Sequence, residues 1–426
     1  MSLSKKTIAI FIIRILSIVL AFIMNVVLGN LLGTAGYGVV SSALALYAIL
    51  TIFCVVGLDQ YSVKKISNML ENNTLVTPIK SHLVNSYYIL IISSTIMIVI
   101  VSAVVVVAGG SFSADILFAI TVAPLTALLL FYEGVFRGVK MPVIAAIPNM
   151  LVRPLVSLMF VILVYYLWDG ISPAIVLYLI AAAIFVSLLF MVGQLVLRLN
   201  EYIRDRTENS DESISIIFSK SSGFFLVALA TVALVKSDIL ILSLFMRDSE
   251  VGIYAAAYNL SFAMLLPLHV IGYVYAAEIS LLFQRNDKKG LKDLLVKSQK
   301  YAALATLPLL LIFVIFPEVS MGLFGEGFKN AEFVLLVLAF GMFSNAAFGV
   351  VGNLLLMTGY TTVFLKIITI SAIVQALLLY YVIPVYGILG AAIVVSLVMM
   401  VWNAIAWYCA NDVIKKMNSE SVVHEA

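Results

Sequence analysis

The sequence has very few charged residues, and this scarcity excludes most classes of soluble protein. Only 11% of its 426 residues are charged and 63% are hydrophobic, whereas soluble domains are about 25% charged and about 45–50% apolar. A soluble chain of this length could not bury so much apolar surface. The composition therefore excludes an ordinary cytosolic enzyme, a disordered chain and a nucleic-acid-binding protein, and it predicts a polytopic membrane protein.

Cysteine and histidine are also scarce, which removes several kinds of chemistry. The two cysteines, Cys54 and Cys409, lie inside apolar runs, and the three histidines are far apart along the chain. These residues form no disulfide framework and have no zinc-ligand spacing. The glycine-rich stretches also lack the flanking residues that a phosphate-binding or dinucleotide-binding loop requires. We therefore predict a protein that is not an enzyme and that needs no metal or cofactor.

Long apolar runs are abundant. A membrane-spanning helix needs about 20 apolar residues, because the hydrocarbon core is about 30 Å thick and a helix rises about 1.5 Å per residue. Only helices and closed barrels satisfy the backbone in lipid, and these runs are too long for barrel strands of roughly 10 residues. The first run is too long for a signal-peptide core and is interpreted as an uncleaved span. We predict an all-α fold with twelve spans, at approximately residues 8–30, 37–59, 82–108, 115–136, 143–167, 173–197, 221–246, 251–277, 301–321, 331–357, 361–383 and 387–409.

The distribution of lysine and arginine predicts the orientation of these spans. Segments on the cytoplasmic side of a membrane protein carry an excess of both residues. If the chain has twelve spans, twenty lysines and arginines fall on the side that carries both termini, and two, Arg247 and Lys329, fall on the opposite side. We therefore predict that both termini are cytoplasmic.

The longest polar connection divides the twelve spans into six and six. We predict two six-helix lobes around a central cavity, with the following segments: an N-terminal lobe (1–198), a cytoplasmic linker (199–219), a C-terminal lobe (220–410) and a cytoplasmic tail (411–426). Gly36-Tyr37-Gly38 opens the second span, and Gly252-Ile253-Tyr254 opens the eighth, 216 positions later. This similarity predicts parallel repeats, which usually place a substrate site at their interface.

A second polar stretch, residues 284–300, has leucines at helical spacing with lysines around them. This pattern is typical of an amphipathic helix on an anionic membrane surface. We therefore predict a surface helix between the eighth and ninth spans.

Three cations, Arg14, Arg153 and Lys236, fall inside predicted spans. A charge at the middle of a bilayer costs about 2.5–3.5 kcal/mol on insertion scales, so such residues face a bundle interior or a water-filled cavity. Arg14 is near enough to the span end to snorkel to the interface, and Arg153 could instead anchor neighbouring helices. We predict that all three line a cationic substrate-binding cavity. Polar residues on the same helix faces would extend its wall: Asn25, Asn149, Ser157 and Ser243.

Three acidic residues near or within the spans are predicted sites of ion coupling. Asp238 lies about 200° around the helix from Lys236, so the two cannot pair within it. Asp238 is therefore either a proton or cation site or a structural counter-ion. Glu133 is four residues before Arg137, which favours a local ion pair, and Glu278 favours an interfacial role near the end of the eighth span.

The excess of cations over anions inside the spans favours an anionic substrate group. Arginine and lysine bind phosphate oxygens strongly where water is excluded.

Four segments carry a family resemblance. Leu31–Gly38 and Val56–Asp59 resemble the start of polysaccharide-export flippases, and Gly352–Tyr360 and Ile383–Ala392 resemble their C-terminal half. Over about residues 8 to 410, the chain resembles the Wzx-type O-antigen flippases of the multidrug/oligosaccharidyl-lipid/polysaccharide (MOP) exporter superfamily.

This resemblance implies two six-helix lobes that work by alternating access. It implies transport of an undecaprenyl-pyrophosphate-linked oligosaccharide, such as the repeat unit of O-antigen in lipopolysaccharide biosynthesis, from the cytoplasmic to the periplasmic leaflet of a bacterial inner membrane. Membrane lipids, a polysaccharide polymerase and a chain-length regulator would be its partners. Arg14, Arg153 and Lys236 fit the cationic cavity that such flippases typically have.

The resemblance leaves two alternative functions open. A cation-coupled drug antiporter of the same superfamily would favour an acidic cavity instead. A polytopic polysaccharide polymerase would be expected to carry a large periplasmic loop, whereas the longest polar loop here is predicted to be cytoplasmic.

Overall fold

The computed structural model describes residues 3–71, 77–107, 113–168, 170–204 and 213–417. Within these ranges the regular structure is entirely helical, which confirms the predicted fold class. The helices are α1 (Leu3–Val55), α2 (Leu58–Glu71), α3 (Thr77–Val107), α4 (Ala114–Gly138), α5 (Pro142–Ile147), α6 (Arg153–Trp168), α7 (Pro173–Arg204), α8 (Ile214–Phe245), α9 (Asp248–Phe262), α10 (Leu266–Gln284), α11 (Lys288–Ile315), α12 (Pro317–Gly322), α13 (Glu332–Phe348), α14 (Val351–Met357) and α15 (Thr361–Lys416). A π-helical turn, Pro148–Val152, joins α5 to α6.

Ten helical stretches of the described chain are long and apolar enough to cross a membrane. Two of them, Ile8–Val55 and Thr361–Lys416, contain 48 and 56 residues, more than twice the length that one crossing needs. Each consists of two helical segments that meet at a glycine with non-helical dihedral angles, Gly33 (φ 64°, ψ −175°) or Gly387 (φ 56°, ψ −144°). Both glycines lie at boundaries between predicted apolar runs. The total of twelve spans and the side of the termini stay predictions.

The chain forms two compact units. Unit 1 contains Met1–Met24 and Val39–Lys236, and unit 2 contains Asn25–Gly38 and Ser237–Ala426. The middle of α1 is thus part of unit 2, and the first part of α8 is part of unit 1. Within the predicted linker and tail, residues 205–212 and 418–426 lie outside the described residues.

In unit 1, two glycines let α2 lie directly against α4. A Cβ atom at Gly134 would clash with the backbone carbonyl of Asp59, and one at Gly138 would lie 2.8 Å from Cβ of Ile66. Small residues four positions apart allow close backbone approach between membrane helices. The contact brings Asp59, at the start of α2, beside the end of α4.

In unit 2, the short segment of α1 from Thr34 to Gly38 and the start of α9 make a reciprocal contact. A Cβ atom at Gly38 would clash with the backbone carbonyl of Asp248, and a Cβ atom at Gly252 would clash with that of Thr34. Asp248 lies 214 positions after Thr34, and Gly252 lies 214 positions after Gly38. The two contacts are therefore equivalent under a local two-fold axis.

The same spacing relates the turns that precede these two helices. Gly33 and Arg247, each with non-helical dihedral angles, are also 214 positions apart. The predicted spacing of 216 positions, which aligned Gly36 with Gly252, is wrong by two residues here. The spacing of 216 aligns residues of the same type, whereas the spacing of 214 relates residues that make equivalent backbone contacts.

The predicted surface helix at residues 284–300 is also corrected. Helix α11 is continuous from Lys288 to Ile315, and Asp287 caps its start by accepting a hydrogen bond of 2.8 Å from the backbone nitrogen of Gly290. Its apolar face is buried in a core cluster that includes Leu291, Leu294 and Leu295. The amphipathic pattern was real, but the apolar face packs against protein, because lipid and a protein core select the same pattern.

Candidate functional site

Two polar clusters within the apolar helices, one in each unit, contain residues that the sequence predicts as sites. The first, in unit 1, includes Arg153 at the start of α6. The second, in unit 2, includes Asp238 in α8. The two clusters differ in charge and are described separately.

Arg153 is held by neutral groups. It directly follows the π-helical turn, where Pro148 removes a backbone donor from the helix. Its Nη1 atom donates a hydrogen bond of 3.2 Å to Oδ1 of Asn149, and its Cζ atom lies 5.8 Å from the centre of the Tyr47 ring. π-Helical turns inside α-helices are frequent at functional sites. Within the described part of the chain, Arg153 has no carboxylate partner.

The ring beneath Arg153 is firmly placed. The hydroxyl of Tyr47 donates a hydrogen bond of 2.7 Å to Oγ1 of Thr126 in α4, and its ring packs against Phe118 at a centroid distance of 5.5 Å. All three side chains are buried. A guanidinium over an aromatic face is stabilised by the negative charge of the ring's π system, so the Tyr47 ring helps to hold the Arg153 side chain in one place.

Asn149 connects Arg153 to further charged groups. The carboxyl of Glu133 interacts with Asn149, with Arg137 one helical turn later, and with Arg14. Asp59 at the start of α2 also interacts with Arg137. We call this set the basic cluster, and its members are Arg14, Asp59, Glu133, Arg137, Asn149 and Arg153.

The basic cluster has three cations and two carboxyl groups. Burial raises the pKa of Asp59, and the hydrogen bonds from Gln60 together with the charge of Arg137 oppose that rise. A raised pKa favours the neutral carboxylic acid. The cationic excess of the cluster therefore increases when Asp59 is protonated.

The structure brings together four of the predicted site residues: Arg14, Asn149, Arg153 and Glu133. Ser157 is buried one turn beyond Arg153. Sequence reasoning missed Asp59 and Tyr47, because neither lies near Arg153 along the chain. The sequence around Tyr47 is apolar and has no pattern of polar residues that would have predicted a role for this tyrosine.

The other predicted residues in α8 and α10 have different surroundings. Lys236 is half-buried in α8, at the point where the chain passes from unit 1 to unit 2. Ser243 donates a hydrogen bond of 2.8 Å to the backbone carbonyl of Leu240 in its own helix. Glu278 is exposed near the end of α10.

The second cluster is built around Asp238 in unit 2. Its carboxyl accepts a hydrogen bond of 2.8 Å from the hydroxyl of Tyr254 and one of the same length from the backbone nitrogen of Ile239. The Tyr254 ring stacks with that of Tyr258 at a centroid distance of 6.3 Å. A buried carboxyl therefore lies in a mainly aromatic environment.

Tyr37 makes an equally buried polar link in unit 2. Its hydroxyl donates a hydrogen bond of 2.9 Å to Oδ1 of Asn25 and accepts one of 2.9 Å from Nδ2 of Asn259. Its ring packs between Phe324 and Phe328, at centroid distances of 5.8 and 6.0 Å. Asn25, predicted to line a cavity, thus takes part in a hydrogen-bonded link between α1 and α9. The sequence pattern included Tyr37 and Tyr254 only as parts of a repeat and did not predict their hydrogen bonds.

Comparisons with known sequences identify a family. The model of a family described as "Polysaccharide biosynthesis protein" matches residues 3–277. A curated relative, the probable low-salt glycan biosynthesis flippase Agl15 of Haloferax volcanii, is 23% identical over 161 residues, which are 38% of this chain. That match spans 34% of the relative's length.

Comparisons with solved structures identify the fold. An inward-facing multidrug resistance MATE family transporter of the MOP superfamily matches with a TM-score of 0.67 at 15% identity, over 91% of this chain and 95% of its own. The Vibrio cholerae MATE transporter VcmN in its bent form matches with a TM-score of 0.62 at 14% identity, over 98% of each chain.

A third solved structure is a MOP superfamily transporter from Pyrococcus furiosus, whose binding pocket is described as having reversed polarity. It matches with a TM-score of 0.58 at 14% identity, over 97% of this chain and 96% of its own. The family match, the flippase relative and the fold together confirm the resemblance to MOP-type flippases. The family match includes two of the four segments that carried this resemblance, Leu31–Gly38 and Val56–Asp59. The chain belongs to the polysaccharide biosynthesis protein family, and it has the fold of the MOP superfamily transporters.

Proposed function

We propose that this protein is a flippase for a lipid-linked oligosaccharide. It moves an undecaprenyl-pyrophosphate-linked repeat unit from the cytoplasmic to the periplasmic leaflet of a bacterial inner membrane, as a transporter and not as an enzyme. The observation that carries the proposal is Arg153, a cation within apolar helices that is held by Asn149 and the Tyr47 ring and by no carboxylate of the described chain. A mobile anion would complete its coordination.

The chemistry of a diphosphate suits the basic cluster. A guanidinium presents five donors in a planar fork, and Asn149 accepts from one of its nitrogens. Arginine therefore binds phosphate oxygens in pairs, with charge-assisted hydrogen bonds about twice as strong as neutral ones. Arg14 and Arg137 would add to the positive potential, although Glu133 and Asp59 offset part of it. The family and the flippase relative support a glycan substrate.

Other parts of the proposal rest on the sequence pattern. Twelve spans in two six-helix lobes, with both termini cytoplasmic, would give a polar path for sugars while the lipid chain stays in the membrane. Lys236 would supply a second cation to the central cavity. Asp238 would be the coupling site, because a buried carboxyl with a phenol donor can exchange a proton or bind a small cation.

A drug antiporter driven by a cation is the second candidate function. The fold neighbours that are multidrug transporters favour it, and so does the buried carboxyl of Asp238. The net charge of the basic cluster argues against a cationic drug at that place, since like charges repel in a low dielectric. Transport of the two substrate classes by purified protein would separate the two functions.

The deciding experiment is a flipping assay with purified protein in proteoliposomes and undecaprenyl-diphosphate-linked oligosaccharide. We expect Arg153→Ala to lower the rate by at least about 30-fold, because truncating one partner of a buried charge pair costs on the order of 2–5 kcal/mol. Lys236→Ala should also lower it. Arg153→Lys should retain part of the rate, because it keeps the charge and loses the fork.

Lys366→Ala is the matched control, since Lys366 is exposed near the start of α15. It should transport at the wild-type rate. Normal transport by Arg153→Ala and Lys236→Ala at equal protein levels would refute the cationic site. Transport of cationic drugs with no flipping of the glycolipid would favour the second function.

A further inference from the structure

Unit 1 contains an apolar groove that is separate from both polar clusters. It runs between the second part of α1, helix α3 and the first turns of α8, and its volume is about 620 Å³. Its walls are Leu50, Phe53 and Val56 from α1, Ile89 to Val101 at intervals along α3, and residues between Ile214 and Phe225 of α8.

The lining of the groove is hydrocarbon. Its few polar side chains are serines, and two of them are already bonded to the backbone. Ser93 donates a hydrogen bond of 2.6 Å to the carbonyl of Cys54, and Ser222 donates one of 2.7 Å to that of Ser219. A ligand in the groove would therefore find apolar contacts and few polar ones, so it must itself be a hydrocarbon.

The groove is elongated along α3. Ser93 bonded to Cys54 and the Phe53–Phe225 ring contact, with centroids 5.6 Å apart, fix where the three helices come together. From Ile89 to Val101 the lining extends over twelve residues of α3, which is about 18 Å at 1.5 Å per residue. These dimensions suit one extended chain.

The groove lining includes Leu50, which lies about one helical turn from the tyrosine that contacts Arg153. Leu50 follows Tyr47 by three residues on α1, which is about 4.5 Å along the helix axis, and the Tyr47 ring faces the guanidinium of Arg153. In a lipid-linked diphosphate, the chain is bonded directly to the phosphate. A site for the chain must therefore begin near the site for the diphosphate, and Leu50 and Tyr47 are the residues that connect the groove to Arg153.

We propose that this groove binds the polyprenyl chain of the transported glycolipid. The inference rests on the proposed function, because it takes Arg153 as the ligand of the diphosphate. A bulk phospholipid is the alternative occupant, but it has no need of a cation near the middle of its chain site, whereas the diphosphate of the glycolipid accounts for Arg153 near Tyr47. The chain gains packing contacts and loses little hydrophobic free energy, because it leaves one apolar medium for another.

Photocrosslinking tests which lipid occupies the groove. p-Benzoylphenylalanine replaces Ile96, which lines the groove, or Val99, which lies on the same helix outside it. The two side chains are similarly exposed, 53% and 60%. The probe is radiolabelled undecaprenyl diphosphate in phospholipid nanodiscs. We expect several times more crosslinking at position 96 than at position 99, and Arg153→Ala should lower the yield at 96.

Filling the groove tests its role in transport. Ile96→Trp should slow the flipping of undecaprenyl-diphosphate-linked oligosaccharide about tenfold, which corresponds to about 1.4 kcal/mol. Val99→Trp should leave it unchanged, because the added ring points into lipid. Both positions are exposed, so neither substitution overpacks the core.

The outcomes separate the groove from the proposed function. Equal crosslinking at the two positions, or crosslinking at 96 to phospholipid alone, would overturn the groove assignment, and an Arg153-dependent flipping rate would leave the flippase intact. Wild-type protein that does not flip the glycolipid would refute the function itself and, with it, the inference about the chain.

Discussion

Tyr254 donates a hydrogen bond of 2.8 Å to Asp238, and both side chains are almost completely buried. The bond joins α9 to α8 within unit 2. A buried carboxyl without donors is costly, and each donor that it gains offsets part of that cost. The pair therefore contributes to stability, and it also holds an ionisable group in the interior.

Asp238→Asn separates these two roles. The asparagine carbonyl can still accept the hydrogen bond from the backbone nitrogen of Ile239, and the amide nitrogen can donate to the hydroxyl oxygen of Tyr254, but the side chain carries no charge and binds no proton. We expect the variant to keep its thermal stability and to lose the dependence of glycolipid flipping on a pH or sodium gradient, measured in proteoliposomes. Unchanged gradient dependence would show that Asp238 is a structural counter-ion.

Tyr37→Phe removes one hydroxyl that serves two amides. Asn25 loses a donor and Asn259 loses an acceptor, and both bonds are partly buried. Removing one partner from a fully buried polar group costs about 1–3 kcal/mol, which is the upper bound here. We expect lower thermal stability of the purified protein. Tyr386→Phe is the control, because Tyr386 is 69% exposed. Equal unfolding temperatures for both variants would contradict the importance of the link.

Gly252→Ala tests the reciprocal contact between α1 and α9. Its methyl group would meet the carbonyl of Thr34, so the helices must move apart. We expect a lower unfolding temperature and less folded protein. Gly193→Ala is the matched control, since no atom lies within 4 Å of the added Cβ and alanine favours helix by about 1 kcal/mol. A tolerant Gly252 would show that the contact is loose.

Asp59 predicts a pH dependence of anion binding. Burial raises the pKa of its carboxyl, and Arg137 and Gln60 oppose the rise. As the pH falls through this raised pKa, Asp59 becomes neutral and the net charge of the basic cluster increases, so diphosphate binding should strengthen. Asp59→Asn should remove this change. Comparing both proteins with the same ligand cancels the titration of the diphosphate, while Glu133 is present in both. Identical pH profiles would exclude Asp59 as the cause.

Cysteine labelling tests the orientation. In a protein without Cys54 and Cys409, Lys289→Cys should react with an impermeant reagent only from the cytoplasmic side. Glu326→Cys should react only from the periplasmic side. Both side chains are exposed. Labelling of both from one side would contradict the twelve-span topology.

Sequence reasoning located the apolar helices and the cations inside them, because both follow from local physics. A helix of about 20 apolar residues matches the bilayer, and a charge such as Arg153 is conspicuous within it. The pairing of Arg153 with Asn149 was also predictable, since residues four apart share a helix face. The role of the Tyr47 ring was not, because 106 positions separate it from Arg153.

By itself, the sequence determined the helical class, the breaks near Gly33 and Gly387 and the family, since each depends on neighbours along the chain. Only the tertiary structure decided three points. Asp59 lies in the same cluster as Glu133, and the local repeat spacing is 214 positions. Tyr37 links Asn25 to Asn259, which lies 222 positions after Tyr37. These contacts depend on how closely two backbones approach. At Gly134, Gly38 and Gly252 the close approach is possible because glycine has no side chain. Single glycines of this kind produce no periodic pattern in the sequence.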